Sequence, residues 1–368
     1  MPEERVLSPD INFIRDLKKV GGETLKKCYQ CATCSVVCPM SPDDRPFPRK
    51  EMIMAQMGLK ESLLADPDIW YCHNCNDCSK YCPRGARPGD VLSALRAKFI
   101  NENAIPSFMA KIVRNPILAL AIPFVVLFLT LAATGNLHIP EGKIVYSHFF
   151  PIDVIEKLFI PLVGLAGITY IVSLLRFWGK LKTLNGTNYQ KGFGDAFVET
   201  IVEFLKHTKF TKCETNADRK NGHMLVFYGF VGLFITTCWI TFYYYVMKIH
   251  SPISLGDPMK WFANISAISL LVGILAIIGS RMKDKGINTK TSSFDWTFII
   301  MVLLLAVTGI LTELTRLAGI RQIAYPMYFV HLMFVFYIIV YFPYSKLAHM
   351  GYRALAITYY KMVGKDVM

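Results

Sequence analysis

Eight of the chain's ten cysteines fall in two runs of the same spacing. The first is Cys28-x2-Cys31-x2-Cys34-x3-Cys38-Pro39, and the second is Cys72-x2-Cys75-x2-Cys78-x3-Cys82-Pro83. They form an internal repeat, because 72−28, 75−31, 78−34 and 82−38 all equal 44. Three thiolates spaced by two residues can wrap three corners of an iron–sulfur cubane. In two-cluster ferredoxins the fourth Cys, just before Pro, ligates the other cluster. The spacing therefore predicts one 4Fe–4S cluster on Cys28, Cys31, Cys34 and Cys82, and a second on Cys72, Cys75, Cys78 and Cys38. Structural zinc needs only paired Cys-x2-Cys units and explains neither the third Cys nor the Cys-Pro. With four thiolates for each cluster, His73 reads as a loop residue. Cys213 and Cys238 stand apart and read as inert thiols. A disulfide framework needs an oxidising compartment. Met1 to Lys18 is polar and mixed in charge, with no apolar signal region, so the chain is expected to start in the cytoplasm.

The elements that must position these cysteines are helical. Ser8-Pro9 before Asp10 to Val20 reads as a helix start, closed by Gly21-Gly22. Helix-like stretches follow from Arg49 to Met57 and from Glu61 to Ala65. Pro88 to Asn103 is amphipathic, with Val91, Leu92, Leu95 and Phe99 on one side. No alternating strand is found, so the fold class is all-α: an α-helical two-cluster ferredoxin domain followed by a six-span transmembrane haem-binding bundle. The expected division is 1–105 for the cytoplasmic iron–sulfur domain and 106–368 for the membrane cytochrome b domain.

Hydrophobic residues make up 53% of the 368, although 40 Lys and Arg are present. Long apolar segments alternating with basic loops produce that combination. Segments long enough to cross a bilayer run from Ile117 to Thr134, Leu158 to Trp178, Met224 to Met247, Trp261 to Ser280, Trp296 to Leu314, and Ala324 to Tyr344. The net charge of +13 reads as topology and not as a nucleic-acid surface, since no basic and aromatic face stands apart from the spans. Lys and Arg concentrate between Arg176 and Lys220, between Arg281 and Lys290, and in the tail after Lys346. Positive loops stay inside, which predicts a multi-pass protein of the cytoplasmic membrane with both termini cytoplasmic. Phe193, Phe197, Ile201, Phe204 and Leu205 recur at helical spacing. They suggest an amphipathic helix lying on the lipid surface or packed on the soluble domain.

Of the eight histidines, three have informative positions. His223 opens the third span on the cytoplasmic side, and His349 lies just past the cytoplasmic end of the sixth. Two imidazoles facing each other across a bundle can hold a b-type haem at both axial positions. His331 lies inside the sixth span, 18 residues before His349. On one continuous helix that is five turns and a rise of about 27 Å, so both would share a face and suit two stacked haems. His148, His250 and Cys238 are the candidate partners of His331, together with no partner at all.

The stretch His331-Leu332-Met333 through Phe342-Pro343-Tyr344-Ser345-Lys346-Leu347-Ala348-His349 resembles the last helix of the respiratory nitrate reductase gamma family. Spans three to six of this chain are similar to that family as a whole, including Ser293-Phe294-Asp295-Trp296 at the fifth. Residues 23–98, including Cys28-Tyr29-Gln30-Cys31 and Ile69-Trp70-Tyr71-Cys72, resemble the small iron–sulfur subunit of heterodisulfide reductase. A fusion of the two is similar to the membrane cytochrome subunits of the Qmo family, the quinone-interacting membrane-bound oxidoreductases of sulfate reducers. The resemblance implies haem ligation by His223, His331 and His349, and menaquinol as electron source. It also implies two soluble flavin and iron–sulfur subunits as partners and adenylylsulfate reductase as downstream acceptor. The alternative is a heterodisulfide-reductase-like or sulfite-reduction-associated complex. One departure stands out: the nitrate reductase family has a second haem-ligating His ten residues after the first on the third span, where this chain has Leu233. The sequence carries no flavin-binding Gly-rich motif and no CCG repeat, so it implies a subunit that is not catalytically complete alone.

Overall fold

The computed structural model describes residues 8–208, 219–283 and 292–365. Every regular element among the described residues is helical, with no strand. Cys213 lies outside them.

The first hundred residues fold around their cysteine loops. Helix α1 (Ile11–Leu17) is capped by Asp10, whose side chain accepts from the Phe13 N–H at 2.9 Å. The cap is therefore Asp10 and not Ser8-Pro9: its short carboxylate satisfies an amide that the first turn leaves unpaired. Short helices α2 (Thr33–Val36), α3 (Arg49–Met57), α4 (Lys60–Leu63), α5 (Asp68–Tyr71) and α6 (Asp77–Lys80) follow. Helix α7 (Pro88–Asn103) buries Val91, Leu92, Leu95 and Phe99, the face read from its periodicity.

Helix α8 (Ser107–Arg114) leads into the apolar half. Six helices there are long and apolar enough to cross a membrane. They are α9 (Pro116–Ala133), α11 (Ile152–Asn185), α13 (Arg219–Phe242, extended by a π turn over Tyr243–Met247), α14 (Pro258–Met282), α15 (Ser293–Leu317) and α16 (Arg321–Val340). Two shorter helices, α10 (Tyr146–Phe149) and α12 (Phe193–Lys206), lie between them. α13 and α14 approach closely at glycines. A Cβ on Gly229 would lie 2.8 Å from the Leu270 amide nitrogen, and one on Gly273 would lie 2.7 Å from that of Val226. Small residues of this kind let helix backbones pack in lipid, where no hydrophobic force draws helices together.

α11 has 34 residues, about 51 Å, well beyond the ~30 Å of a hydrocarbon core. Its surplus carries Phe177 and Leu181 into the core of the cysteine domain. The chain's last helix, α17 (His349–Met362), joins them there. Trp70 stacks on Tyr352 at 5.1 Å, and Phe99 meets Trp70, Phe177 and Tyr352 edge-on at 5.1, 4.8 and 5.1 Å. All four rings are fully buried. The cysteine domain is thus welded to two helices from the membrane half. Tyr352→Ala is expected to cost about 3–5 kcal/mol, the usual range for deleting a buried aromatic ring. Denaturation of the purified chain would measure it, and a change below about 1 kcal/mol would mean that the weld carries no stability.

A second weld is a hydrogen bond onto a buried ionic cluster. The Lys50 ammonium sits among the buried carboxylates of Glu51, Asp66 and Asp68 at 3.2, 3.0 and 2.7 Å. The Tyr360 hydroxyl of α17 donates to Asp68 at 2.5 Å.

The sixth span departs from the sequence reading. α16 stops at Val340, and residues 341–348 form two short 3-10 turns before α17 begins at His349. His331 and His349 are therefore on separate helices and do not share one face across five continuous turns. Pro343 has no N–H to continue the ladder and disfavours helix at Phe342. Ser345 then caps the next turn, accepting from the Leu347 N–H at 3.2 Å.

Candidate iron–sulfur and haem sites

Each cysteine run forms a loop with left-handed residues at matching positions. Gln30 and Asn74 have φ of 61° and 55°, and Ala32 and Asn76 have 67° and 69°. These pairs repeat the offset of 44 (74−30 and 76−32). Asn tolerates this conformation, whereas Gln and Ala pay a steric cost of roughly 1–2 kcal/mol. Something in each loop must hold the backbone there. The amides turn toward sulfur: Gln30 N–H to Cys28 Sγ at 3.5 Å, Asn74 N–H to Cys72 Sγ at 3.3 Å, and Ala86 N–H to Cys82 Sγ at 3.3 Å.

Two cavities result. Cys28, Cys31, Cys34 and Cys82 line one, and Cys72, Cys75, Cys78 and Cys38 line the other. The fourth Cys of each run thus faces the other run's cavity. Burial pushes the Cys34 thiol up to about 11, and Cys38 and Cys78 further in the same direction. Sulfurs so placed ionise only around a positive centre, which is the demand a cluster meets. The cavities differ in surroundings. The first opens outward: Cys31, Tyr29 and Val36 are exposed, and Arg84 covers the Tyr29 ring at 4.1 Å. The second lies inside, with Cys72 and Cys78 buried and Trp70 two residues away in the aromatic weld.

Beside the second cavity the structure gathers three histidines. His223 is one turn into α13, His349 opens α17, and His207 follows α12 with φ 51°. The His223 Nδ1 is 3.0 Å from His207 Nε2, with ring centroids 5.1 Å apart. His349 lies within electrostatic reach of His223. The His349 Nδ1 donates to the Lys346 carbonyl at 2.6 Å. Lys346 in turn pairs with Asp295 at 2.5 Å, which ties the 341–348 segment to the start of α15. Burial, and then Lys346, lower the His349 ring to about 4, so it is neutral at ordinary pH. A neutral imidazole whose Nδ1 is held by a backbone carbonyl is the usual state of a metal-ligating histidine, with Nε2 directed at the metal. Partly buried imidazoles on α13 and α17 are the donor types that a bis-histidine haem would use.

His207 was not singled out by sequence. A lone loop histidine offers no signal, and only the left-handed end of α12 turns it onto His223. α12 itself packs Ala196 and Thr200 against α17, with Thr358 donating to Thr200 at 3.2 Å, and leaves Val198 and Val202 exposed. His73 is likewise more than a loop residue, standing 2.8 Å from the Arg353 guanidinium.

His331 is placed elsewhere. Its Nδ1 lies 3.1 Å from the Thr308 hydroxyl, and a Cβ on Gly309 would come within 2.9 Å of its ring. The ring therefore fills a notch in α15. His148, His250 and Cys238 are all exposed, and none is brought to it.

Comparison with known proteins supports the cysteine half. Residues 24–86 match the 4Fe-4S dicluster domain family. The C component of the H(2):CoB-CoM heterodisulfide,ferredoxin reductase of Methanothermobacter marburgensis is 37% identical over 102 residues, covering 27% of this chain and 52% of that protein. A protein of Archaeoglobus profundus that is like the C component of heterodisulfide reductase is 36% identical over 100 residues, covering 27% and 53%. The chain thus spans about half the length of these relatives. Citrate utilization protein B of Escherichia coli is 23% identical over 354 residues, covering 90% of this chain and 89% of that protein. That likeness continues from the cysteine loops through the apolar helices. No solved structure matches the chain. Residues 24–86 thus resemble the 4Fe–4S dicluster domain family, and among the described residues six apolar helices long enough to cross a membrane follow them.

Proposed function

We propose that this chain is the electron-transfer membrane subunit of a quinone oxidoreductase complex, linking menaquinol, b-type haem and two 4Fe–4S clusters to soluble partners. The observation that carries the reading is the packing of the second cysteine cavity onto α13 and α17, the helices that bear His223 and His349. In this reading Cys28, Cys31, Cys34 and Cys82 hold the outer cluster, and Cys72, Cys75, Cys78 and Cys38 the inner one. His223 and His349 hold a haem between them, with His207 fixing the His223 ring. When bound, the haem and clusters supply one-electron carriers, and the chain's own residues set their spacing and surroundings. The functional units are 1–105, cytoplasmic, and 106–368, in the cytoplasmic membrane, with both termini inside. A second haem on His331 would use Nε2, because Thr308 engages Nδ1. Its further ligand would be His148, His250 or Cys238, or none.

The likeness of the cysteine domain to C components of heterodisulfide reductases favours partner subunits, here taken to be soluble flavin and iron–sulfur proteins. The exposed Tyr29, Val36 and Arg84 around the outer cavity are where they would dock. Adenylylsulfate reductase in sulfate reduction is the downstream acceptor in the main reading. A heterodisulfide-reductase-like or sulfite-reduction-associated complex is the second.

A quinol must lose protons as it loses electrons. Glu313 lies one turn beyond Gly309, about 6 Å along α15 from the His331 notch. It pairs with Lys260 at 2.7 Å and accepts from Asn264 at 3.5 Å. Asp257 close by caps α14 and accepts from the Tyr243 hydroxyl at 3.1 Å. This polar group between α13, α14 and α15 is the proposed quinol end, with Glu313 the proton acceptor; Lys248 closes the π turn that bears Tyr243. In vesicles holding the full chain, menaquinol should reduce the haem and clusters. Glu313→Gln should slow this roughly 10²-fold, the typical weight of a lost general base, while dithionite still reduces them. An unchanged quinol rate would remove Glu313 from the site, and no reduction by menaquinol in the parent chain would refute the function.

A further inference from the structure

Three arginines from three different helices converge on the short loop between Cys72 and Cys75. Arg96 of α7 donates to the carbonyls of Ile69 and Cys72 at 3.2 and 3.0 Å, and to the Asn74 side-chain oxygen at 3.0 Å. Arg219, at the start of α13, donates to the Asn74 carbonyl at 2.8 Å. Arg353 of α17 reaches the Cys72 carbonyl at 3.4 Å and the His73 ring at 2.8 Å. Arg219 precedes His223 by one turn, and Arg353 follows His349 by one turn. No comparable clamp surrounds the first cysteine loop among the contacts of the described residues, where Arg49 and Arg84, both exposed, line the cavity.

The acidic groups nearby do not cancel this charge. Asp295 is held by Lys346 at 2.5 Å, and Glu203 by Lys361 at 3.4 Å. Asp77, buried on the second cavity's wall, is the one carboxylate among the described residues lining that cavity. A guanidinium stays cationic at neutral pH even when buried. Reducing a 4Fe–4S cluster adds one negative charge to it. A guanidinium held a few ångströms away, out of water, stabilises the reduced form far more than it would in bulk solvent.

We propose that Arg96, Arg219 and Arg353 are positioning residues that raise the reduction potential of the cluster on Cys72, Cys75, Cys78 and Cys38, making this inner cluster the one set to accept an electron from the membrane side. The raised potential rests on the cluster assignment alone, and only the direction of electron entry rests on the proposed function. Arg219 and Arg353 do double service, because the helices that bear them are those that carry His223 and His349.

The test is an anaerobic redox titration of the purified full chain, followed by electron paramagnetic resonance. The inner cluster's signal is identified as the one lost in Cys75→Ser. Arg353→Gln, which keeps a donor for the Cys72 carbonyl but removes the charge, should shift that signal's midpoint to lower potential. The other cluster's midpoint should stay in place. Arg353→Lys, which keeps the charge, should restore most of the parent value. If Arg353→Gln loses the cluster, Arg96→Gln probes the same loop from the opposite side with the same expectation. An unmoved midpoint in a variant of full iron content would overturn the proposal. So would equal shifts of both clusters, equal shifts in the Gln and Lys variants, or loss of the cluster in both Gln variants. A parent chain without two cluster signals would instead refute the cluster assignment, which iron analysis reads separately.

Discussion

Replacing Cys82 by Ser is expected to remove the cluster of the first cysteine run and to leave that of the second. Cys38→Ser should do the reverse. The structure places Cys82 on the wall of the Cys28, Cys31 and Cys34 cavity, and Cys38 on that of Cys72, Cys75 and Cys78. The geometry follows from the repeat. Each run wraps three sulfurs round its own cavity through two left-handed residues, and the short helix after it points the fourth sulfur across to the neighbour. Each variant should lose about half of the non-haem iron, roughly four of eight atoms, together with one of two resonance signals. Spectra showing that Cys82→Ser erased the cluster of Cys72, Cys75 and Cys78 would mean that ligation is not crossed.

The second large effect concerns the haem. His223→Ala and His349→Ala should each abolish a six-coordinate, low-spin haem, since neither imidazole has a substitute on its helix. His207→Ala should act differently. It removes only the group hydrogen-bonded to His223 Nδ1 at 3.0 Å. Loss of such a supporting partner commonly weakens metal affinity by about 10–100-fold, so the haem should be retained poorly but keep its low-spin bands. Complete loss of the low-spin haem in His207→Ala, with retention in His223→Ala, would make His207 the ligand and His223 the support.

Much of this was legible in the sequence because it rests on local rules. Helix α7 and its buried face follow from periodicity alone, and the six apolar helices follow from length and composition. What sequence did not show is long-range. Nothing in Tyr352 announces that its ring will stack on Trp70, 282 residues earlier (352−70). The apolar run through Tyr344 hides a break at Pro343, because hydropathy does not register a lost backbone donor. That break is what frees α17 to leave the bundle and enter the cysteine domain. The arginine clamp was hidden for a related reason. Arg219 and Arg353 count toward loop charge in a topology argument, yet both are turned inward onto backbone carbonyls. His207 needed the turn after α12 before it meant anything.

If one chain joins two iron–sulfur clusters to a membrane haem, all three cofactors must purify with it. Anaerobic analysis of the purified full chain for non-haem iron, acid-labile sulfide, zinc and haem, with absorption spectra before and after dithionite, tests this most directly. The expected result is about eight non-haem irons with matching sulfide and at least one haem per chain. Its α and Soret bands should sharpen on reduction over a broad iron–sulfur shoulder that bleaches. Zinc in place of iron, or iron without haem bands, would contradict the claim.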